Sequence, residues 1–290
     1  MTEPKGWRVV VIATVQPVAE ALIERIRELG HDVVAWLMPR RPVAIGQPLP
    51  PWGETSDRTV AQGVNLLMVR GVEDVAPLLR GLEPDAVICN GFPWKLPQEA
   101  LDVPRYGCVN QHPAKLPRHR GPIPLSWAFR DGETEFWLTW HRMDAELDTG
   151  PILAQSSIPI LDEETTIFET GPRLVQAELD LLPRVFERLA AGDPGEPQAT
   201  EDASWAGRLG EDYATVDWSQ TAREIHNQVR AWSYASGTGP ADGPFAELDG
   251  KRVRIKRTSL TDPGDGSPAV DVADGKIWIL ESEPTRSGKG

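Results

Sequence analysis

The first forty residues alternate between a buried strand, a helix and a second buried strand, a pattern that few folds accommodate. The run Arg8–Ala13 is continuously apolar after its first residue, which is typical of a parallel strand covered on both faces. Apolar residues then recur at helical spacing from Val18 to Leu29, and Gly30 supplies a helix stop. A second apolar run, Asp32–Leu37, follows. This βαβ unit predicts a right-handed crossover within a parallel sheet and therefore an α/β fold.

The turn after the first strand limits the choice of cofactor. Ala13–Pro17 contains no Gly-x-Gly-x-x-Gly, the fingerprint whose backbone cradles a dinucleotide pyrophosphate. An enzyme that uses NAD or NADP is disfavoured on that ground.

Later segments continue the α/β pattern. Further strands are predicted at residues 85–89, 106–111 and 136–140. A helical stretch from about residue 166 to 190 follows, which Pro172 and Pro183 are expected to interrupt. Residues 39–56 are rich in Pro and Gly and are interpreted as a loop.

Composition indicates a domain boundary late in the chain. Gly and Pro recur in residues 191–197, and the stretch from 191 through 203 is interpreted as a linker. Beyond it, the sequence predicts a short helix near 221–231, strands at 246–249, 252–260 and 276–281, and a disordered tail from 284. The chain is therefore expected to comprise a catalytic α/β domain (1–190), a linker (191–203) and a small β domain (204–290).

The candidate site combines an amide, an imidazole and a carboxylate. Asn110 and His112 are two residues apart, so in an extended strand their side chains leave the same face. Asp148 follows later, just before a Thr-Gly turn. A hydrogen-bond donor, a base that titrates near neutral pH and an orienting carboxylate are what acyl-type transfer to an amine requires. An isolated histidine is more often structural, so the trio alone leaves both interpretations open.

The sequence around this trio resembles a known enzyme family. The run Asn110-Gln-His-Pro-Ala-Lys-Leu-Pro-Arg-His-Arg-Gly121, with Leu147-Asp-Thr-Gly-Pro-Ile-Leu153 behind it, resembles the folate-dependent formyltransferases. That family includes methionyl-tRNA formyltransferase, amino-sugar and hydroxyornithine N-formyltransferases, and the hydrolase domain of 10-formyltetrahydrofolate dehydrogenase. Its pattern reads approximately Asn-x-His-x-Ser-Leu-Leu-Pro-x-x-Arg-Gly and then Asp-x-Gly. Val216-Asp-Trp-Ser219 and Ile225-His226-Asn227 extend the likeness towards the C-terminus.

The resemblance implies a fold, a formyl donor and a set of catalytic residues. It implies a Rossmann-like formyltransferase domain with a mostly parallel sheet, a small OB-like β domain at the C-terminus, and N10-formyltetrahydrofolate as cosubstrate without a metal. The family's catalytic residues fall on Asn110, His112 and Asp148. Asn110 would donate to the developing oxyanion, and Asp148 would orient His112 and raise the pKa of its imidazole relative to an unpaired one. Whether His112 accepts the amine proton or stabilises the oxyanion stays open.

The resemblance also implies a folate pocket beside the loop that follows the strand at 85–89. The expected cofactor-binding residues are Phe92, Trp94, Leu96, Met143, Asp144 and Leu147. Phe92 and Trp94 could stack on the pterin ring or cap the core, and Asp144 could be a pterin acceptor or a turn residue.

Cations near the motif are candidates for binding the acceptor. Lys115, Arg118 and Arg120 could meet a carboxylate or phosphate, although Arg120 could instead brace the loop. Lys115 stands where the family usually has Leu, and Ala114 stands where it usually has Ser. Far along the chain, Arg252, Arg254 and Lys256 share one face of a predicted strand, which is either solvated or in contact with phosphate.

Net charge guides the choice of acceptor. The chain has 43 acidic and 30 basic residues and a formal charge of −13, which disfavours a general nucleic-acid surface. Together with the short C-terminal region, this favours a small-molecule amine as acceptor, either an amino sugar or a hydroxyornithine-like metabolite. Initiator methionyl-tRNA is the alternative acceptor, with tRNA possible but not favoured. Hydrolysis of 10-formyltetrahydrofolate and a folate-binding regulator without turnover are the remaining alternatives.

The remaining features give expectations about location and metals. No apolar stretch approaches the roughly 20 residues that cross a bilayer, and the first residues do not resemble a signal peptide, so a cytoplasmic protein without a membrane partner is expected. The histidines near the motif match no zinc spacing, and no metal is expected. Cys89 and Cys108 lie in apolar runs and are expected to be buried free thiols. The oligomeric state stays open.

Overall fold

A computed structural model describes residues 6–40, 63–235 and 243–285. The chain divides into two compact units. The first comprises Met1–Arg120, Trp137–Ile158 and Arg173–Ser204, and the second comprises Gly121–Phe136, Pro159–Pro172 and Trp205–Gly290. The loop predicted at 39–56 lies outside the described residues from position 41 onwards, as does the predicted tail from position 286.

A seven-stranded sheet, built mainly from the first unit, carries the predicted βαβ pattern. Its strands are β1 (Arg8–Ala13), β2 (Asp32–Pro39), β3 (Asn65–Val69), β4 (Ala86–Asn90), β5 (Cys108–His112), β6 (Glu135–Arg142) and β7 (Ile152–Pro159). They lie in the order β3-β2-β1-β4-β5-β6-β7. Neighbouring strands from β3 to β5 pair in parallel, and β6 pairs antiparallel with β5. The expected mostly parallel, Rossmann-like sheet is confirmed.

Both faces of this sheet are covered, which explains the uninterrupted apolar run in β1. Val9 and Val11 belong to one buried cluster, which also holds Leu22 of the first helix. Val10 and Ile12 belong to a second buried cluster on alternate positions of the same strand. Because both faces of this strand are buried, apolar and polar residues do not alternate along it.

The helices follow the apolar periodicity of the sequence. They are α1 (Gln16–Glu28), α2 (Val75–Leu82), α3 (Gln98–Leu101), α4 (Pro124–Arg130), α5 (Ile167–Ala190) and α6 (Ala222–Tyr234). The first ends where Gly30 takes a φ of +85°, a left-handed conformation that glycine adopts without steric cost.

The expected interruption of α5 is wrong, because this helix is continuous through Pro172 and Pro183. A proline removes one backbone hydrogen bond and crowds the carbonyl four residues earlier, which bends a helix as readily as it ends one. Leu182 and Val185 of α5 are fully buried, so the packing of this apolar stripe outweighs the local cost.

The second unit contains a small antiparallel sheet, as expected for the C-terminal region. Its strands are β8 (Phe245–Leu248), β9 (Lys251–Ser259), β10 (Ala269–Val272) and β11 (Gly275–Pro284), in the order β10-β11-β9-β8. A capping box between Thr221 and Glu224 begins α6, whose Ile225 packs with Ile255 and Ile277 of the sheet. The finer prediction of an OB-like barrel stays a prediction.

The cations of β9 have partners within this sheet. Arg254 and Lys256 lie 3.5 and 3.9 Å from Glu283 of β11, and the Arg252 guanidinium lies 4.7 Å from the centre of the Phe245 ring. The structure thus places the predicted basic face beside an acidic strand.

Candidate active site

The amide, imidazole and carboxylate that the sequence predicts as a trio converge in the first unit. Asn110 and His112 project from the same face at the end of β5, and Asp148 lies on the turn between β6 and β7. His112 Nδ1 lies 3.6 Å from Asp148 Oδ2, and Asn110 Nδ2 lies 3.5 Å from Asp148 Oδ1. His112 and Asp148 are both buried. The pattern from which the trio was predicted therefore corresponds to a real cluster.

The hydrogen bonds of His112 fix its tautomer. Its Nε2 lies 2.8 Å from the main-chain oxygen of His119, and because a carbonyl only accepts, Nε2 carries the proton. Nδ1, which faces Asp148, then bears the lone pair of the neutral ring.

The pKa of His112 is lowered from its ordinary value, chiefly because the ring is buried away from water. The charge of Asp148 and the bond to His119 oppose this shift but are smaller. Asp148 thus raises the pKa of His112 relative to an unpaired ring, as expected, but burial outweighs that effect and leaves the net pKa lowered. Desolvation of a fully enclosed imidazole exceeds the attraction of a carboxylate 3.6 Å away.

Asp148 is held in a strained backbone conformation. Its φ is +57°, in the left-handed region that non-glycine residues rarely adopt. The side-chain amide of Gln198 donates to the main-chain oxygens of Asp148 and Gly150 at 2.9 and 2.8 Å. Arg120 in turn donates to Gln198 Oε1 through two nitrogens, at 3.0 and 2.6 Å. This arrangement, called the Gln198 clamp below, holds the Asp148 turn.

The contacts of Arg120 in that clamp bear on its role. Its guanidinium donates twice to Gln198, a contact that agrees with the bracing interpretation, one of the two that the sequence left open. Gln198 itself was missed, because a glutamine in a Pro/Gly-rich linker carries no sequence signal for a contact with a distant turn.

His141 is a second imidazole that the sequence did not assign to the trio. It lies directly across from Asn110 in the β5–β6 register and is buried. Its Nε2 is 3.2 Å from Asn110 Nδ2 and 3.6 Å from Asp148 Oδ1, and its Nδ1 is 2.8 Å from the main-chain oxygen of Arg142. The alternation predicted for 136–140 continues to Arg142, so one more residue of strand would have indicated this position.

The loop after His112 is tied to the next strands. Thr139 Oγ1 donates to the main-chain oxygen of Ala114 at 2.6 Å, and Gln155 Nε2 donates to Thr139 Oγ1 at 2.8 Å. Ala114, where the family usually has Ser, therefore takes part through its carbonyl. The loop is anchored without the missing hydroxyl.

The predicted cofactor-binding residues lie on two loops of the first unit that are joined by an ion pair. Lys95 Nζ lies 3.0 Å from Glu146 Oε2. The apolar members pack against one buried cluster or are part of it: Phe92, Trp94, Leu96 and Met143. Leu147 is 37% exposed and thus presents apolar surface next to the buried Asp148.

Three of these residues have local partners that bear on the alternatives left open. The rings of Phe92 and Trp94 meet edge to face with centres 5.2 Å apart, and both remain half-buried. Asp144 Oδ1 accepts from Thr149 Oγ1 at 2.7 Å and from the Glu146 main-chain nitrogen at 3.1 Å. Asp144 therefore has the contacts of a turn residue.

The other predicted cations lie at the surface of the loop. Lys115 and Arg118 are exposed, and Lys115 Nζ lies 4.2 Å from the centre of the Trp137 ring. This is a cation–π distance, which places the ammonium beside β6.

A polar cluster lies behind the site on the opposite face of β5. Asn90 Nδ2 donates to both carboxyl oxygens of Glu178 at 3.1 Å, and Asn90 Nδ2 also lies 3.5 Å from Gln111 Oε1. Burial raises the pKa of Glu178 to about 8, against the smaller opposite effect of the Asn90 hydrogen bond. Gln111 Nε2 is buried and has no hydrogen-bond partner among the described residues.

The two cysteines are free and buried, as expected, and burial raises the pKa of both thiols, that of Cys89 to about 12. Within the described part of the chain, no group of three or more His, Cys, Asp or Glu side chains is arranged to hold a metal ion. No helix in the same residues is long and apolar enough to span a membrane.

Comparison with known proteins places this geometry in a family. The formyl transferase family model matches residues 8–186, and the model of the formyl transferase C-terminal domain matches residues 208–286. A methionyl-tRNA formyltransferase from Citrifermentans bemidjiense is 35% identical over 94% of this chain and 84% of that protein.

Two solved structures share the fold at low sequence identity. An N-formyltransferase from Helicobacter canadensis, solved with folinic acid and dTDP-3-aminofucose, gives a TM-score of 0.67 at 16% identity, covering 94% of this chain and 98% of that one. HypX from Aquifex aeolicus, solved with tetrahydrofolic acid, gives 0.66 at 17% identity, covering 97% of this chain and 44% of HypX. The chain thus spans less than half the length of HypX.

These relatives overturn the expected acceptor and partner. Curated relatives at 31–35% identity over most of the chain carry the name methionyl-tRNA formyltransferase. The expectation of an amino sugar or a hydroxyornithine-like metabolite as acceptor, with tRNA not favoured, is wrong. A total charge of −13 sums over the whole surface, whereas nucleic acid contacts depend on local cations. Since two family models and a relative 35% identical together cover most of its length, the chain belongs to the folate-dependent formyltransferase family.

Proposed function

We propose that this protein transfers the formyl group of N10-formyltetrahydrofolate to the amine of methionyl-tRNA. The observation that carries the proposal is the identity of 35%, over 94% of the chain, to a protein named methionyl-tRNA formyltransferase. The convergence of Asn110, His112 and Asp148 supports the same reaction, because amide, imidazole and carboxylate suit acyl transfer to an amine.

The folate would lie between the loops that carry Trp94 and Leu147. These loops present partly exposed apolar and aromatic side chains beside polar groups, which suits a pterin ring with its hydrogen-bonding edge. When bound, the folate supplies the formyl carbon that the amine attacks. The residues proposed to hold it are Phe92, Trp94, Leu96, Met143, Asp144 and Leu147.

His112 is assigned the role of base. Its Nε2 proton is committed to the His119 carbonyl, so the neutral ring has no second N–H for an oxyanion. Its Nδ1 lone pair faces Asp148 Oδ2 across 3.6 Å, so the carboxylate would stabilise the imidazolium that forms when the ring takes up a proton. The attacking amine supplies that proton. A lowered pKa keeps the ring neutral and ready to accept it near neutral pH.

Asn110 is assigned the role of oxyanion donor. One of its amide hydrogens is directed to His141 Nε2 at 3.2 Å, and the other makes only a long contact of 3.5 Å with Asp148 Oδ1. The second hydrogen is therefore the one that can turn to an oxygen gaining negative charge. Lys115 and Arg118, both exposed on the adjoining loop, are proposed to contact the acceptor's phosphates.

The test is a direct assay of formyl transfer. Purified protein is incubated with N10-formyltetrahydrofolate and methionyl-tRNA, and formylmethionyl-tRNA is measured after deacylation, with a nucleotide-linked amino sugar as competing acceptor. We expect a product only on the tRNA. Asn110→Ala, His112→Ala and Asp148→Ala should each lower kcat by at least about a hundredfold.

The pH dependence tests the role of His112. Because the reactive form is the neutral imidazole and its pKa is lowered, kcat/KM should rise with pH along a limb that lies below the ordinary histidine value of about 6.5. A limb centred above that value would contradict the assignment. Formylation of the amino sugar alone, or formate release without an acceptor, would overturn the proposed function.

A further inference from the structure

His141 is a buried imidazole whose two ring nitrogens both have polar neighbours. Its Nδ1 lies 2.8 Å from the main-chain oxygen of Arg142, which can only accept, so Nδ1 carries the proton. In the neutral ring Nε2 then presents a lone pair, which meets Asn110 Nδ2 at 3.2 Å, with Asp148 Oδ1 farther away at 3.6 Å. The hydrogen-bond pattern therefore runs in one direction, from the Asn110 amide through His141 to the Arg142 carbonyl.

Gly150 makes this arrangement possible. A Cβ at that position would lie 1.8 Å from the Arg142 main-chain oxygen and 3.6 Å from His141 Nδ1. No side chain can occupy that space, so only glycine lets the carbonyl approach and select the Nδ1–H tautomer. Gln198 holds the same glycine through its main-chain oxygen, at 2.8 Å.

We propose that His141 is a positioning residue that fixes which end of the Asn110 amide faces the reacting group. A carboxamide has a donor end and an acceptor end of almost equal shape, and only the donor end stabilises an oxyanion. The lone pair of His141 binds one amide hydrogen and holds the second towards Asp148. Without it, the Asn110 amide can rotate by half a turn and present its oxygen, which repels an oxyanion.

This inference rests on the proposed function, because the oxyanion belongs to formyl transfer. It adds a specific role for a residue that lies outside the trio. His141 touches neither substrate in this scheme and acts through Asn110.

The experiment compares His141→Phe with His141→Gln. Phenylalanine fills the buried space without an acceptor, whereas the glutamine oxygen can accept the Asn110 hydrogen. We expect His141→Phe to lower kcat by about tenfold to a hundredfold with both KM values unchanged within about twofold, and His141→Gln to restore most of the loss. His31→Phe, a partly buried histidine outside the site, is the matched control and should keep wild-type kcat.

A double variant separates positioning from a general structural effect. If His141 acts through Asn110, the variant with both Asn110→Ala and His141→Phe should be no slower than Asn110→Ala alone, within about twofold. Multiplicative losses, or a wild-type kcat for His141→Phe, would overturn the inference. Failure of wild-type protein to formylate methionyl-tRNA would instead count against the proposed function.

A measurement without turnover gives a second arm. Nitrogen NMR of labelled protein should find His141 as the Nδ1–H tautomer, with a shift of its Nε2 resonance in Asn110→Ala but not in His31→Phe. An Nε2–H tautomer in the wild type would also overturn the inference.

Discussion

Asn110, Gln111 and His112 are consecutive residues of one strand that face two different environments. Asn110 and His112 face the site, whereas Gln111 lies on the other side of the sheet, where Asn90 contacts both its side-chain oxygen and the buried carboxyl of Glu178. The strand that carries the chemistry therefore has polar groups on both faces, although most of its surroundings are apolar. Most buried polar groups in proteins are hydrogen-bonded, and Gln111 Nε2, which has no partner among the described residues, is an exception here.

Glu178 should make the stability of the protein depend on pH. Its pKa is raised from 4.5 to about 8, so between these values the folded protein keeps a proton that the unfolded chain releases. The free energy of unfolding should therefore fall as pH rises through this window, by at most about 1.4 kcal/mol per pH unit. Urea denaturation at pH 5, 6.5 and 8 measures this effect.

Glu178→Gln should remove that dependence, making the variant similar to the wild type at pH 5 and more stable than the wild type at pH 8. Glu187→Gln, at an exposed position of the same helix, is the control. Parallel curves for the wild type and Glu178→Gln would contradict the prediction.

At the scale of residues, the sequence indicated Asn110, His112 and Asp148 but neither His141 nor Gln198. The trio stands out because its residue types and spacing form a motif. His141 depends on the register between β5 and β6, and Gln198 depends on where a linker crosses a turn, and neither property is encoded locally.

The turn between β6 and β7 is the element on which the geometry of the site depends. It positions Asp148 with a left-handed backbone, and the Gln198 clamp supplies hydrogen bonds to main-chain oxygens on both sides of Thr149. A conformation that costs about 1–3 kcal/mol persists only where its surroundings hold it.

Gln198→Ala should therefore loosen the turn. We expect a decrease of about 1–3 kcal/mol in unfolding free energy, from two hydrogen bonds to buried carbonyls, and a kcat about tenfold lower with little change in either KM. Gln198→Glu should be worse, because a carboxylate would face the same two carbonyl oxygens. Gln176→Ala, on the surface of α5, is the control. A Gln198→Ala variant with wild-type kcat would show that the Asp148 turn keeps its conformation without these hydrogen bonds.

Strands and helices were easier to predict than their ends. β1 and its following helix were predicted because apolar periodicity and Gly30 act locally. The continuity of α5 was not predicted. Whether Pro172 and Pro183 interrupt the helix depends on how much apolar surface the helix buries elsewhere. Tertiary packing decided that case against local propensity.

For the whole molecule, total charge was a poor guide to the partner. The acidic excess is a property of the sum, whereas Lys115 and Arg118 lie together on the loop beside the site. The fold class could be predicted from the sequence because the apolar pattern of several strands and helices indicates it. The identity of the acceptor depends on a few local interactions, which the overall composition does not reveal.

Salt dependence tests this local view of charge. Replacing Lys115 and Arg118 together with alanine should raise the KM for methionyl-tRNA while the KM for N10-formyltetrahydrofolate stays unchanged. The slope of log KM against log salt should fall by roughly 0.7–0.9 for each tRNA phosphate that the variant no longer neutralises. Arg184→Ala, exposed on α5, serves as the comparison. An unchanged slope in the double variant would mean that other cations bind the phosphates.

The group that fixes the tautomer of His112 is the main-chain oxygen of His119. The backbone of His119 has a φ of +56°. Since every amino acid carries that oxygen, no replacement of the side chain at 119 deletes it. A systematic alanine survey would therefore not detect this hydrogen bond. A backbone ester in place of the peptide link between residues 119 and 120, introduced by chemical synthesis, would weaken the carbonyl as an acceptor. The change in the tautomer of His112 would then measure the contribution of this main-chain hydrogen bond.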